Sequence, residues 1–160
     1  MSTTETISLL DKLIIYTKEI LGQPVTRNEK LFAVCELLSD EVPTFDWVGF
    51  YLIADDAEDE LALGPFVGES TEHNRIPFGK GICGQVALSH ETFVSQDVKA
   101  EDNYLACSVD VKSEIVIPIM ANDEFVAQLD IDSNTINSIT DEQIEALEKI
   151  CKMISAEFKN

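Results

Sequence analysis

In the stretch NYLACSVDVKSEIVIPI, residues 103–119, Cys107 is followed seven residues later by Glu114 at the head of an apolar run. A thiolate is a nucleophile, and a carboxyl kept protonated is a proton donor. Brought together, the two could attack an electrophilic centre and protonate the group that leaves it. The segment around Cys107 keeps neither a helical nor an alternating period. It therefore reads as a loop, where a thiol can be partly exposed and reactive.

A second thiol, Cys83, lies in FGKGICGQVA, residues 78–87. Its place at the start of a short helix favours a thiolate, through free backbone N–H groups and the helix dipole. The glycines are in the wrong order for a phosphate-binding loop. Farther along, LDIDS carries Asp130 and Asp132. Strand alternation puts these two acids on one face and Leu129 and Ile131 on the other. Neighbouring carboxylates repel, so a cationic group is expected between them, unless they are merely solvated strand ends. Trp47 and Tyr51, four apart in DWVGFYL, also share a face. They form either plain core packing or an aromatic wall suited to a cation or a methyl-sulfur group.

The elements that must position these residues are legible from periodicity and caps. Apolar spacing predicts helices over 3–21, 27–41 and 140–158. Each opens on a capping box: Ser2 with Glu5, Thr26 with Glu29, and Thr140 with Gln143. Strand patterns cover 45–54, 61–66, 75–79 and 92–98, with a helix over 82–89 between the last two. A second hairpin follows, SEIVIPIM and EFVAQLDIDS around the turn at 121–123. Cys35 and Cys151 fall in the apolar stripes of their helices and read as core thiols. Since helices do not separate most of the strands, the sheet must be antiparallel, giving an α+β fold with helices packed on one face.

The chain has 160 residues, suited to one domain spanning 1–160, and a formal net charge of -19. Only 11 residues are Lys or Arg and they form no stripe, which argues against nucleic acid and anionic membranes as partners. The N-terminus carries no signal-peptide pattern and no apolar run could span a bilayer, so the expected location is cytoplasmic. With no C-x-x-C pair, and His73 and His90 far from any cysteine pair, no metal site is expected.

Taken in order, DWVGFYL, LGPFVG, FGKGICG, LACS…SEIVIPI and LDIDS resemble the stand-alone GAF-domain enzymes that reduce free methionine-(R)-sulfoxide. The likeness runs from about Trp47 to Ser133. It implies a GAF fold: a six-stranded antiparallel sheet with helices on one side. It implies Cys107 as nucleophile and Cys83 as second redox cysteine. Glu114, Asp130 and Asp132 become the acids that hold substrate, and Trp47 and Tyr51 its aromatic wall. Glu114 is also the candidate proton donor. No cofactor is implied beyond a thioredoxin-type reductant acting on a cysteine sulfenic acid or disulfide, and a homodimer is left open. The family's third cysteine, ten residues before the glycine-turn cysteine, falls on His73 here, and its P-G-H-I-A-C-D segment reads DNYLACS. The alternative expectation is a GAF module that binds an amino-acid-like ligand without turnover.

Overall fold

The computed structural model describes residues 8–101 and 110–159. Cys107 and the Ser2–Glu5 capping box lie outside them. The described helices begin with α1 (Leu9–Leu21), whose first turn is capped by the Ser8 hydroxyl accepting from the Asp11 N–H. Next comes α2 (Arg27–Glu41), where Thr26 Oγ1 accepts from the Glu29 N–H at 3.2 Å. After the strands β1 (Trp47–Ala54), β2 (Ala57–Val67) and β3 (Arg75–Pro77) comes α3 (Gly81–Ser89). The chain then forms β4 (Phe93–Ser95), β5 (Ser113–Ala121) and β6 (Glu124–Ser133), and closes with α4 (Asp141–Ile154). The reciprocal Thr140–Gln143 box is present at the start of α4.

The six strands form one antiparallel sheet in the order β3-β2-β1-β6-β5-β4. The β5–β6 hairpin turns through Asn122 and Asp123, both with left-handed φ, at 54° and 64°. That geometry follows the right-handed twist of the strands it joins. β2 begins at Ala57, four residues before the apolar pattern does. The acids that precede the pattern are held by Arg75, whose Nη2 lies 2.7 Å from Asp56 and 2.9 Å from Glu60. The expected antiparallel α+β sandwich is the observed one.

The sheet has two packed faces. On one, Val48, Phe50, Ile115, Ile117, Leu129 and Ile131 meet the apolar stripes of α1, α2 and α4, with Cys35 and Cys151 inside this core. Burying side chains of this size contributes about 1.5–3 kcal/mol each before conformational entropy is counted. On the other face α3 is the one described α-helix, packing Ile82, Val86 and Ala87 against Tyr51, Leu61, Ile76 and Val116. Helices on one face thus describes α1, α2 and α4, while α3 covers the opposite side. Its hydrophobic character runs around most of its surface, so its sequence does not reveal which side of the sheet it seeks.

Gly49 shapes that second face. It lies between Trp47 and Tyr51 on the same side of β1, so a side chain there would point at the indole. A Cβ built at Gly49 would overlap the Trp47 ring and sit 2.8 Å from Phe66 Cβ. Gly49→Ala should therefore displace the indole and lower stability by about 1–3 kcal/mol, the usual cost of overpacking. Chemical denaturation monitored by Trp47 fluorescence checks this, since Trp47 is the sole tryptophan. An unchanged emission spectrum and midpoint would contradict the packing described.

Candidate active site

The site grows out of strand register. Glu114 on β5 is paired across the ladder with Asp132 on β6, which is paired in turn with Trp47 on β1. The next row on the same face reads Val116, Asp130, Gly49, and the next Pro118, Gln128, Tyr51. Two rows thus place three carboxyl groups side by side beneath α3. All are buried: Glu114 is 4% exposed, Asp132 1% and Asp130 0%.

α3 delivers a thiol to the same spot. Cys83 Sγ donates to Asp130 Oδ2 at 3.4 Å, and the Gln128 side-chain amide donates to the Cys83 carbonyl at 3.1 Å. Gln128 therefore ties the first turn of α3 to the sheet and fixes the height of Cys83 above the acids. Gly84 lets α3 pack tightly against the turn that precedes it, because a Cβ there would lie 2.7 Å from the Pro77 carbonyl oxygen. Trp47 and Tyr51 form the aromatic flank, with ring centroids 6.4 Å apart. Each is anchored by its polar end: Trp47 Nε1–H donates to the Glu69 carbonyl at 2.9 Å, and the Tyr51 hydroxyl to the His73 carbonyl at 2.7 Å. Tyr51, His73, Ile76, Ile82, Cys83, Glu114 and Asp130 line a narrow cavity. Trp47 and Asp132 line a wider pocket with Asp46, Glu69, Asp110, Val111 and Asn134.

Three buried carboxylates cannot all be ionised without large cost. Burial first, and then the neighbouring charges of Asp130 and Asp132, push the Glu114 carboxyl well above the usual carboxylate range. Glu114 is close enough to share its proton with either aspartate. Burial also raises Asp130, against the opposing effect of hydrogen bonds from Glu114 and Cys83. The acids therefore hold at least one proton in common, and Glu114 is its principal carrier. Burial pushes Cys83 well up too, helped by the charges of Asp130, Glu114 and Asp132. This corrects the sequence-based expectation of a thiolate at the helix start. The helix terminus is present, but burial and the acids outweigh it, and Cys83 is a thiol.

The structure thus brings together Trp47, Tyr51, Cys83, Glu114, Asp130 and Asp132 on one face of the sheet. Cys107 lies outside the described residues. Sequence reasoning missed Gln128, although its period of two with Asp130 and Asp132 marked it as facing the same way. It also missed Gly49, whose position between Trp47 and Tyr51 was the available signal.

A GAF domain model matches residues 19–156. The protein named free methionine-R-sulfoxide reductase from Escherichia coli K12 is 36% identical over 114 residues, which span 71% of this chain and 67% of that protein. The solved free methionine-R-sulfoxide reductase from Neisseria meningitidis, in complex with its substrate, superposes with a TM-score of 0.85 at 30% identity. That match covers 99% of this chain and 92% of the Neisseria chain. The reduced form of fRMsr from Staphylococcus aureus gives a TM-score of 0.86 at 33% identity, covering 99% of this chain and all of its own. The chain belongs to the GAF-domain free methionine-R-sulfoxide reductase family. Its buried acids and their thiol are thus carried on a fold shared with reductases of free methionine-R-sulfoxide. No helix among the described residues is long and apolar enough to cross a membrane.

The shared proton has a consequence for stability. Glu114 binds its proton more tightly folded than unfolded, so between its unfolded pKa, about 4.3, and its raised folded value the folded state holds the extra proton. Stability contributed by this group is complete below that window and falls as pH rises through it. The slope is at most about 1.4 kcal/mol per pH unit for one proton. Glu114→Gln keeps the shape and the donor but removes the titration. The variant should gain in melting temperature relative to the parent as pH is raised from 5 to 8. A difference that is flat or shrinks with pH would mean that Glu114 is ionised in the folded protein.

Proposed function

We propose that the protein reduces free L-methionine-(R)-sulfoxide to methionine with electrons from thiols. The observation that carries this reading is the buried Glu114–Asp130–Asp132 cluster, flanked by Trp47 and Tyr51 and capped by Cys83, in a chain of this family. A free amino acid brings an ammonium group, which the two aspartates can hold by charge-assisted hydrogen bonds. A methyl-sulfur group suits the aromatic flank. A methionine within a peptide has no such ammonium, so the cluster selects the free amino acid.

In the proposed sequence the Cys107 thiolate attacks the sulfoxide sulfur and Glu114 protonates the sulfoxide oxygen. The oxygen is transferred to the cysteine: sulfoxide and thiol become sulfide and sulfenic acid, with two electrons passing from Cys107 to the substrate. Attack by a second thiol on the sulfenic sulfur forms a disulfide and releases water. Cys83 is assigned this role, since a histidine at position 73 cannot form a disulfide. A dithiol reductant of the thioredoxin type then restores both thiols. The raised pKa of Cys83 fits a thiol held in reserve rather than a competing first nucleophile. An ammonium between the aspartates offsets the negative field that keeps thiols protonated nearby, so substrate binding itself favours the reactive thiolate.

The test is methionine formation from free L-methionine-(R)-sulfoxide in the presence of a thiol reductant. Cys107→Ser should abolish it. Asp130→Asn should lower kcat/KM about ten- to a hundredfold, from the roughly 1.5–3 kcal/mol of a charged hydrogen bond. A peptide-bound sulfoxide should react far more slowly than the free one. Full activity in Cys107→Ser would overturn the assignment of the nucleophile. Tight binding of the amino acid with no turnover in the parent protein would favour a ligand-sensing GAF module instead.

A further inference from the structure

The Cys83–Glu114–Asp130 cluster also has the composition of a binding site for a soft divalent metal. One donor atom from each residue, the Cys83 sulfur and a carboxylate oxygen from each acid, all lie within 4.8 Å of one another. All three residues are buried, and they line the same narrow cavity. The 3.4 Å between Cys83 Sγ and Asp130 Oδ2 is close to the ligand–ligand edge of a tetrahedral zinc site. With Zn–S near 2.3 Å and Zn–O near 2.0 Å, that edge is about 3.5 Å. A second observation points to a ligand. Asp130 lines this cavity, and its Oδ1 is fully buried with no hydrogen-bond partner among the described residues. Such an atom normally has a partner.

We infer that Cys83, Glu114 and Asp130 form a binding site for a thiophilic divalent cation of the zinc type. A water completes four-coordination. Binding releases protons, because the thiol must become a thiolate and the carboxyls must ionise to act as ligands. The thiolate ligand sets the selectivity. Magnesium and calcium prefer all-oxygen cages and do not compete at a mixed sulfur–oxygen site. The site was invisible to sequence reading because its donors come from α3, β5 and β6, at positions 83, 114 and 130, with no short metal-ligand spacing. A bound metal would also occupy Asp130 and engage Cys83, blocking the proposed reductase reaction. That consequence rests on the proposed function, whereas the binding itself does not.

The test uses the full-length reduced protein without sulfoxide. Titration with Zn²⁺ in a calorimeter should give one site that excess Mg²⁺ does not displace. Titration with Co²⁺ should produce a thiolate-to-metal charge-transfer band in the near ultraviolet. Cys83→Ser should abolish the band and weaken Zn²⁺ binding more than tenfold. Asp130→Asn should weaken Zn²⁺ binding more than tenfold, with near-ultraviolet circular dichroism confirming that each variant is folded. A band and affinity unchanged in folded Cys83→Ser would overturn the proposal by assigning the metal to another cysteine. Displacement by Mg²⁺ would equally overturn it, as binding to the acidic surface alone, and so would the absence of Zn²⁺ binding. Sulfoxide reduction is read separately, so failure of one experiment leaves the other interpretable.

Discussion

Three carboxyl groups buried side by side on one sheet face are the constraint around which the second half of this molecule is organised. Glu114 faces Asp132 across the β5–β6 ladder, and Asp130 lies one row away. Such a cluster is stable only if protons or a cation neutralise part of its charge. The protein meets this in its resting form by keeping a proton on Glu114 and a thiol, rather than a thiolate, at Cys83. The same arrangement makes the site receptive to any ligand that brings positive charge.

The rest of the fold holds that cluster at the correct depth. The core under the sheet, built from α1, α2 and α4, fixes β1, β6 and β5 as its rigid centre. The opposite layer is thinner. Among the described residues, the short helix α3, Gln128 bonded to the Cys83 carbonyl, and the indole of Trp47 lying over Gly49 cover the acids. The end of β5 and β6 is further locked by hydroxyls. Ser113 Oγ donates to the Thr135 carbonyl at 2.7 Å, and Ser138 Oγ donates to Ser133 Oγ at 2.8 Å. Asp46, just before β1, accepts from the Asn134 N–H at 2.7 Å, tying the strand that carries Trp47 to the end of the strand that carries Asp132. Binding groups placed on strands in this way are held more rigidly than groups on loops.

Much of this was legible in the sequence, and the limits follow from what is local and what is not. Alternation is local, so the shared faces of Asp130 with Asp132 and of Trp47 with Tyr51 could be read directly. Helix caps are local, and Thr26 and Thr140 fall where expected. Register is a property of two strands. That Glu114 meets Asp132 could not be derived from positions 114 and 132 themselves. Burial is less local still. The start of α3 suggested a thiolate at Cys83 by a rule that holds for exposed helix ends. Packing that end over three acids reverses the outcome. Gln128 was overlooked because an amide carries no charge to draw notice, yet it holds α3 to the sheet.

The site depends on a carboxyl group that stays protonated at neutral pH inside a cluster of acids. Infrared difference spectroscopy of the parent protein against Glu114→Gln at pH 7 reads this directly, through the carbonyl stretch of a neutral carboxylic acid. The parent should show this band and Glu114→Gln should lack it. Only ionised carboxylate bands in the parent, with no neutral acid lost on substitution, would contradict it.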